Sequence, residues 1–285
     1  MTDEISGLKN YPLARRGMVM TSLIAGFTLA TTRVDAQAIH TAADGLVAGA
    51  VTIPTSDGDL PGYRAKPAGA GPFPVVLVIE EVFGVHEYIQ DVCRRLAKEG
   101  YLAVAPELYA RIADLSGMTD AAVIGRDVIS KAPDDRVMKD LDETAAWAAT
   151  DGGDLSRLGV TGFCRGGRDV WLYDAHNPTL KAAVAWYGPM GGQPSAIQPM
   201  TATDVADKLH APLLGLYGGN DVVIPVEAVQ AAMSKARAAG KTVELEVFPD
   251  APHGFHADYR PSYRPDAAAA GWTRMLAWMR GHGVG

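Results

Sequence analysis

The segment Gly159–Val160–Thr161–Gly162–Phe163–Cys164–Arg165–Gly166–Gly167 decides the fold of this chain. A short apolar run ending at Phe163 predicts a buried strand, and a helical pattern runs from Arg165 to about Asn177. Cys164 lies between them with glycines two positions away on both sides, which is the spacing of a nucleophile elbow with cysteine in place of serine. So sharp a turn needs neighbours without side chains, because the backbone there is crowded. The alternative interpretation is a buried cysteine beside a glycine-rich turn.

The two cysteines have different surroundings. The helix that follows Cys164 offers free N–H groups and a positive dipole end, which favour a thiolate and a developing oxyanion. Cys93 lies on the apolar stripe of another helix and is interpreted as a buried core thiol. Two cysteines are too few for a disulfide framework.

Composition excludes several classes of function. The chain has 285 residues, 48% of them hydrophobic and 21% charged, which is an ordinary globular composition. A net charge of −7, with no Lys/Arg cluster outside the N-terminus, argues against nucleic acid as a partner. There is no CxxC, no paired Cys/His ligand set and no P-loop, and His86 and His256 lack metal-ligand spacing. We therefore expect no structural zinc site and no nucleotide-binding loop, and we predict a function that needs neither metal nor cofactor.

Residues 1–38 are predicted to be an export signal. Arg15 and Arg16 precede sixteen uncharged residues, 17–32, and small residues follow at Ala36–Gln37–Ala38. The apolar run is too short for a confident membrane span. The arginine pair resembles a twin-arginine signal, although Ala14 stands where Ser or Thr is usual. This predicts a periplasmic protein; the alternative is a cytoplasmic protein whose first residues form an amphipathic helix packed on the domain.

From about residue 45 the chain alternates strands with helices. A hairpin with an Asp-Gly turn is predicted first, over Val47–Pro54 and Leu60–Lys66. Further strands are predicted at Val75–Glu80, Leu102–Ala105, Leu158–Phe163, Ala182–Trp186, Leu213–Tyr217 and Val243–Phe248. Helices are predicted at Tyr88–Lys98, Asp134–Thr150, Val226–Ala239 and Ala267–Arg280, besides the one after Cys164. This alternation predicts one α/β domain over residues 45–285, with a mostly parallel central sheet and helices on both faces.

Three predicted strand ends carry the groups that a nucleophilic hydrolase needs. Cys164, Asp221 and His253 each follow a strand, and function collects at the C-terminal ends of strands in open α/β sheets. The chain order nucleophile, acid, histidine is that of the α/β-hydrolase fold. Histidine accepts a proton near neutral pH, and the carboxylate fixes its tautomer. Taken singly, Asp221 could cap a helix and His253 could bond a loop carbonyl.

Four motifs together resemble the dienelactone hydrolase family, to which carboxymethylenebutenolidases belong. They are Gly162–Phe163–Cys164–Arg165–Gly166–Gly167, Ile79–Glu80–Glu81–Val82–Phe83–Gly84–Val85, Gly218–Gly219–Asn220–Asp221 and Pro252–His253–Gly254–Phe255. The resemblance covers nearly all of the chain from residue 47 to residue 280. It implies that Glu81 lies near Cys164 and holds or exchanges its proton. It also implies an oxyanion hole formed by the backbone N–H groups of Val82 and Arg165.

The same resemblance implies a set of substrate-binding residues. Arg111 matches the family arginine that binds a substrate carboxylate, and Tyr187 matches a pocket tyrosine. A second family arginine falls four positions after the histidine, where this chain has Ala257; Arg260 is the candidate substitute. Alternatively, Arg111 is a surface arginine and Tyr187 a core aromatic. Arg165 could also present positive charge at the pocket mouth.

The sequence thus predicts a hydrolase that opens lactones or small esters through a cysteine nucleophile. Its partner would be a small-molecule substrate, and the mature protein would have no stable membrane span. One alternative is a broader carboxylesterase or thioesterase acting on neutral substrates. Another is a non-catalytic binding protein on a hydrolase scaffold. The sequence does not predict the oligomeric state.

Overall fold

The computed structural model describes residues 39–285, which form one eight-stranded sheet with helices packed against it. The strands are β1 (Leu46–Ile53), β2 (Leu60–Pro67), β3 (Phe73–Ile79), β4 (Leu102–Pro106), β5 (Gly153–Phe163), β6 (Ala182–Trp186), β7 (Leu213–Gly218) and β8 (Val243–Phe248). Their order across the sheet is β1-β2-β4-β3-β5-β6-β7-β8. Only β2 runs against its neighbours. The predicted α/β fold with a mostly parallel sheet is confirmed, and the predicted signal at 1–38 lies outside the described residues.

The described part of the chain contains seven α-helices, six of them between strands and one after the last strand. They are α1 (Glu87–Lys98), α2 (Ala121–Asp127), α3 (Asp134–Thr150), α4 (Arg165–His176), α5 (Ala202–Val205), α6 (Val226–Ala238) and α7 (Pro265–Gly281), with a 3₁₀ turn at Ile129–Lys131. None of these helices has the length and apolar character needed to cross a bilayer.

The central strands are apolar because helices cover both faces of the sheet. The strand β3 is buried over six of its seven residues, and β4, β6 and β7 are buried throughout. The helices α1 and α7 pack together on one face, where Arg95 lies 5.2 Å from the ring of Trp272. The helices α3, α4, α5 and α6 form a contiguous layer on the other. Strands buried on both faces carry continuous apolar runs, which is why they could be recognised in the sequence.

Two features of the fold differ from the sequence prediction. The strand β5 begins at Gly153 rather than at Leu158, because Phe73 and Pro74 pair with Gly153 and Asp154 before a register shift at Val75. The short helices α2 and α5 are not among the helices predicted from the sequence. They depend on local caps rather than on apolar periodicity: the Asp120 carboxylate accepts two backbone N–H groups of α2, and a capping box begins α5.

The topology brings the chemically active segments to one edge of the sheet. The segments after β3, β5, β7 and β8 all leave the sheet at its C-terminal edge, since these strands are parallel. Glu81 follows β3, Cys164 follows β5, Asp221 follows β7 and His253 follows β8. Residues up to 172 positions apart in sequence, from Glu81 to His253, therefore converge at this edge.

Candidate active site

The turn at Cys164 has the strained backbone expected of an elbow. Its φ is 53° and its ψ is −117°, a region that residues with a side chain rarely adopt. The Cys164 N–H donates to the carbonyl of Trp186 at 3.1 Å, which ties the turn to β6. A β-carbon at Gly166 would lie 2.5 Å from the backbone oxygen of Glu80, so only glycine allows the helix to start this close to β3.

Cys164, His253 and Asp221 form a continuous chain of polar contacts. The Sγ of Cys164 lies 3.3 Å from Nε2 of His253, and Nδ1 of His253 lies 2.9 Å from Oδ2 of Asp221. The other Asp221 oxygen accepts the N–H groups of Val223 and Ile224, at 2.8 and 3.0 Å. These two bonds fix the carboxylate, and the carboxylate in turn fixes the imidazole with one nitrogen directed at the sulfur. The structure thus brings together the three residues singled out by chain order.

The charge balance at His253 favours its protonated form. Burial opposes a charge on the ring, which is only 1% exposed. The neighbouring Cys164 and Asp221 more than offset this and raise the pKa of His253 to about 10. Such an imidazolium beside a sulfur is the arrangement that sustains a thiolate nucleophile. At Cys93, by contrast, burial raises the pKa of the thiol, so that cysteine is kept protonated and unreactive.

Glu81 forms a buried ion pair with Arg260. The Oε2 of Glu81 accepts from Nη2 of Arg260 at 3.0 Å and from the hydroxyl of Tyr259 at 2.5 Å. Burial disfavours the guanidinium, but Glu81, then Tyr259 and Cys164, raise the pKa of Arg260 above its ordinary value. Among the described residues no hydrogen bond joins Glu81 to Cys164. Arg260, which binds Glu81, is the group that lies in the electrostatic surroundings of the Cys164 sulfur.

The backbone groups proposed for an oxyanion hole lie at two loop ends. Arg165 is the first residue of α4, where N–H groups have no partner within the helix. Within residues 39–285, neither the Arg165 nor the Val82 N–H takes part in the turn and loop hydrogen bonds. The Arg165 side chain is engaged elsewhere, with Nε 3.2 Å from Asp169 and Nη2 3.4 Å from Asp134.

Arg111 is held by neighbouring groups of the protein. Its Nη1 lies 2.7 Å from Oδ2 of Asp140 in α3, while Nη2 donates to Oγ1 of Thr55 at 2.6 Å and to the carbonyl of Gly58 at 3.0 Å. These bonds join α3 to the turn between β1 and β2. This geometry favours a structural role for Arg111 over binding of a substrate carboxylate.

Tyr187 is both a core aromatic and a neighbour of the candidate site. It is fully buried, its φ is 37°, and its hydroxyl lies 3.5 Å from that of Tyr88. Its ring meets the His253 ring edge-on, with centroids 5.2 Å apart. This strained residue at the end of β6 therefore packs against the imidazole and restricts its position.

Sequence reasoning missed three residues around these groups. Tyr259 was not assigned a role, although it is adjacent to Arg260. The hydroxyl of Tyr88 lies 2.7 Å from Nδ1 of His256, and burial lowers the pKa of His256 well below its ordinary value, so this ring is neutral. The signal for Tyr259 was its place beside a charged residue. Tyr88 begins a predicted helix, and no local pattern distinguishes it.

A cavity of about 550 Å³ lies beside the segment that follows β3. Its lining includes Phe83, Gly84, Val85, His86, Glu107 and Asp114, and no lysine or arginine from residues 39–285. In the described part of the chain there is no group of three or more His, Cys, Asp or Glu side chains placed to hold a metal ion.

The chain is similar in sequence to one known protein family. The sequence profile of the dienelactone hydrolase family matches residues 60–283. The chain belongs to the dienelactone hydrolase family. This membership supports a hydrolase that acts on esters or lactones, and it implies a small-molecule substrate.

Relatives within the dienelactone hydrolase family match the chain over nearly its whole length. A "Putative carboxymethylenebutenolidase" of Methylorubrum extorquens is 56% identical over 274 residues, which is 95% of this chain and 94% of the relative. A protein of the same name from Escherichia coli (strain K12) is 49% identical over 92% of this chain and 97% of its own length. The crystal structure of a "Putative Dienelactone Hydrolase" from Klebsiella pneumoniae is 51% identical, with a TM-score of 0.81 over 82% of this chain and 98% of that one.

Proposed function

We propose that this protein hydrolyses lactones or small esters through a covalent intermediate on Cys164. One observation carries the proposal: at a strained strand-to-helix turn, the Cys164 sulfur lies 3.3 Å from His253, which Asp221 holds from the other side. The non-catalytic alternative does not explain why such strain persists at this position, since unneeded strain of order 1–3 kcal/mol is selected against.

In the first half-reaction the Cys164 thiolate attacks the carbonyl carbon of the substrate. The new C–S bond places negative charge on the carbonyl oxygen, for which the N–H groups of Val82 and Arg165 are the proposed donors. The tetrahedral species collapses, the ester C–O bond breaks, and the His253 imidazolium gives its proton to the departing oxygen. In a lactone this new hydroxyl stays attached to the acyl chain, so both ends remain in the site.

In the second half-reaction water replaces the leaving group. Neutral His253 takes a proton from the water, whose oxygen attacks the thioester carbon. Collapse breaks the C–S bond and regenerates the thiolate beside the imidazolium, while the product leaves as a carboxylic acid. Asp221 stabilises the imidazolium in both halves and stays ionised throughout.

The charges around the site favour neutral substrates over anionic ones. Arg260 is paired with Glu81, Arg165 with Asp169 and Asp134, and Arg111 with Asp140. Each arginine that could bind a substrate carboxylate is therefore already paired with a carboxylate of the protein. A substrate carboxylate would have to displace that partner. We accordingly propose neutral lactones and esters as the better substrates, which is the second of the functions considered from the sequence.

Trapping the acyl-enzyme tests this proposal. A p-nitrophenyl ester should give a burst of nitrophenol equal to the enzyme concentration, and intact mass spectrometry should find the acyl group on Cys164. Cys93→Ser is the matched control and should keep both signals. A burst that persists in Cys164→Ala, or an acyl group on another residue, would refute the nucleophile assignment.

A further inference from the structure

Glu80, directly before Glu81, is a fully buried carboxyl group at the end of β3. Its Oε1 accepts the backbone N–H of Leu108 at 2.9 Å. Its Oε2 receives no N–H or O–H from any residue between 39 and 285. An ionised oxygen left unpaired in the interior is strongly destabilising, so this oxygen requires a proton of its own or a shared one.

The group able to share that proton is the carboxylate of Glu107. Its Oε2 accepts the N–H of Val85 at 3.2 Å. A β-carbon on Gly84 would lie 3.1 Å from this oxygen and 3.7 Å from Oε2 of Glu80, so both carboxyl groups border the same glycine. Burial, and next the charge of Glu107, raise the pKa of Glu80 well above its ordinary value. Two adjacent carboxyl groups in the interior do not ionise together.

We propose that Glu80 is a neutral carboxylic acid that donates to the Glu107 carboxylate, and that this acid pair positions the segment 81–85. Glu80 is thus a positioning residue for the proposed hydrolysis, on which this part of the inference rests. The segment carries Glu81 and the proposed oxyanion donor Val82.

The acid pair connects three parts of the site. Through the Leu108 N–H and the Val85 N–H it joins the segment after β4 to the segment after β3. The backbone of Glu80 also abuts the elbow, because its carbonyl is one of the atoms that a side chain at Gly166 would strike. Ionisation of Glu80 would set two carboxylates against each other and shift the segment relative to the elbow.

The charged groups that face the pair come from two further elements. Asp169 of α4 faces Glu80, and it also binds Nε of Arg165 at 3.2 Å and the Tyr109 hydroxyl at 3.4 Å. Asp114, in the loop before α2, faces Glu107. Each aspartate raises the pKa of the glutamate that it faces, as burial does. The pair therefore keeps its proton as the pH rises.

The substitution Glu80→Gln tests the proposal, because an amide donates and accepts in the same places without a titrating proton. A carboxyl group whose pKa is raised in the fold holds a proton that the unfolded chain loses above about pH 4.5. Glu80 therefore makes the stability of the wild type fall as the pH rises, and Glu80→Gln should remove this contribution to the slope. We compare the Tm of Glu80→Gln with that of the wild type at each pH. The difference, variant minus wild type, should be at least about 3 °C larger at pH 8 than at pH 5. Exposed Glu227→Gln is the matched control and should show no such difference.

A second measurement identifies the proton directly. The infrared carbonyl band of protonated carboxylic acids should be weaker in Glu80→Gln than in the wild type at pH 7 by the contribution of one group, with Glu227→Gln again unchanged. Asp174, whose pKa burial raises to about 7, contributes to the band in all three proteins. kcat/KM of Glu80→Gln should stay within about twofold at pH 7. Glu80→Leu leaves the Leu108 N–H unpaired and removes the proton that Glu107 would accept, so it should lose about tenfold or more.

Two results would overturn the acid pair. One is an equal loss of Tm in Glu80→Gln at both pH values, and the other is an infrared carbonyl band of equal strength in Glu80→Gln and the wild type. If the wild type hydrolyses no ester while the band difference and the Tm difference are found, the proposed function fails and the acid pair stands.

Discussion

Arg260 and Glu81 form an ion pair that is buried on both sides, with Nη2 and Oε2 3.0 Å apart beside the candidate nucleophile. The pair uses an arginine seven positions after His253, whereas the family pattern has one four positions after it. Because Arg260 reaches the site from a different backbone position, a cation is present although Ala257 occupies the usual place. It acts in this structure as the partner of Glu81.

Breaking the Glu81–Arg260 pair should destabilise the fold. Arg260→Ala leaves a buried carboxylate without its cation, and such losses typically cost about 3–5 kcal/mol. Urea denaturation measures the change, with Arg280→Ala as control because its pair with Glu99 is exposed and should contribute less than about 1 kcal/mol. Glu81→Gln combined with Arg260→Met should recover part of the loss. Equal effects of Arg260→Ala and Arg280→Ala would contradict this account.

Removing either end of the Cys164–His253 contact should abolish most turnover. Cys164→Ala and His253→Ala should each lower kcat/KM by about 10³-fold or more, since groups that act as a unit lose most function together. Cys164→Ser should also be poor, because a hydroxyl is far harder to ionise than a thiol. Cys93→Ser, in which the altered residue is a buried core thiol, provides the comparison. Near-normal ester hydrolysis by Cys164→Ala would rule out the mechanism.

The raised pKa of His253 predicts how Cys164 reacts with pH. Alkylation by iodoacetamide should be nearly independent of pH from 7 to 9, because His253 keeps its proton until about pH 10. In His253→Ala the rate should instead rise about tenfold per pH unit up to the ordinary thiol pKa of about 8.5. The stability of the fold depends on the same pKa shift. The charged histidine stabilises the folded state fully below about pH 6.5, and this stabilisation is lost as the pH rises through about 10. A steep wild-type profile between pH 7 and 9 would count against the imidazolium.

Arg111 offers a test of substrate charge. If it is structural, Arg111→Ala should lower kcat/KM equally for a carboxylate-bearing lactone and a matched neutral ester, and it should also lower Tm because Asp140 loses its partner. If it binds substrate, only the charged lactone should suffer, by the equivalent of about 2–5 kcal/mol. We expect the first result from the bonds to Asp140, Thr55 and Gly58. Charged and neutral substrates compared in both proteins decide the matter.

Export by the twin-arginine route is a separate proposal that rests on sequence alone. Replacing Arg15 and Arg16 with Lys should leave the protein in the cytoplasm of a host that carries this pathway, while activity in lysates should be unchanged. Fractionation of cells followed by immunoblotting measures the distribution. An unaltered distribution would favour the amphipathic-helix alternative.

Much of the fold could be predicted from the sequence because its signals are local. Strands covered on both faces need continuous apolar residues, so β3, β6 and β7 stood out as apolar runs. The elbow was recognisable because steric crowding at Cys164 dictates which residues can neighbour it. Chain order then grouped Cys164, Asp221 and His253, since parallel strands end at one edge of a sheet.

Only the tertiary structure decided which charges meet. Asp140 lies 29 positions from Arg111 in the sequence, and Glu81 lies 179 positions from Arg260. No local pattern could therefore show that either arginine is already paired. The same holds for Glu80 and Glu107, whose proximity depends on β3 and β4 lying side by side. Sequence determines which groups are available; the electrostatic energy of each depends on distance and burial, which the packed chain alone sets.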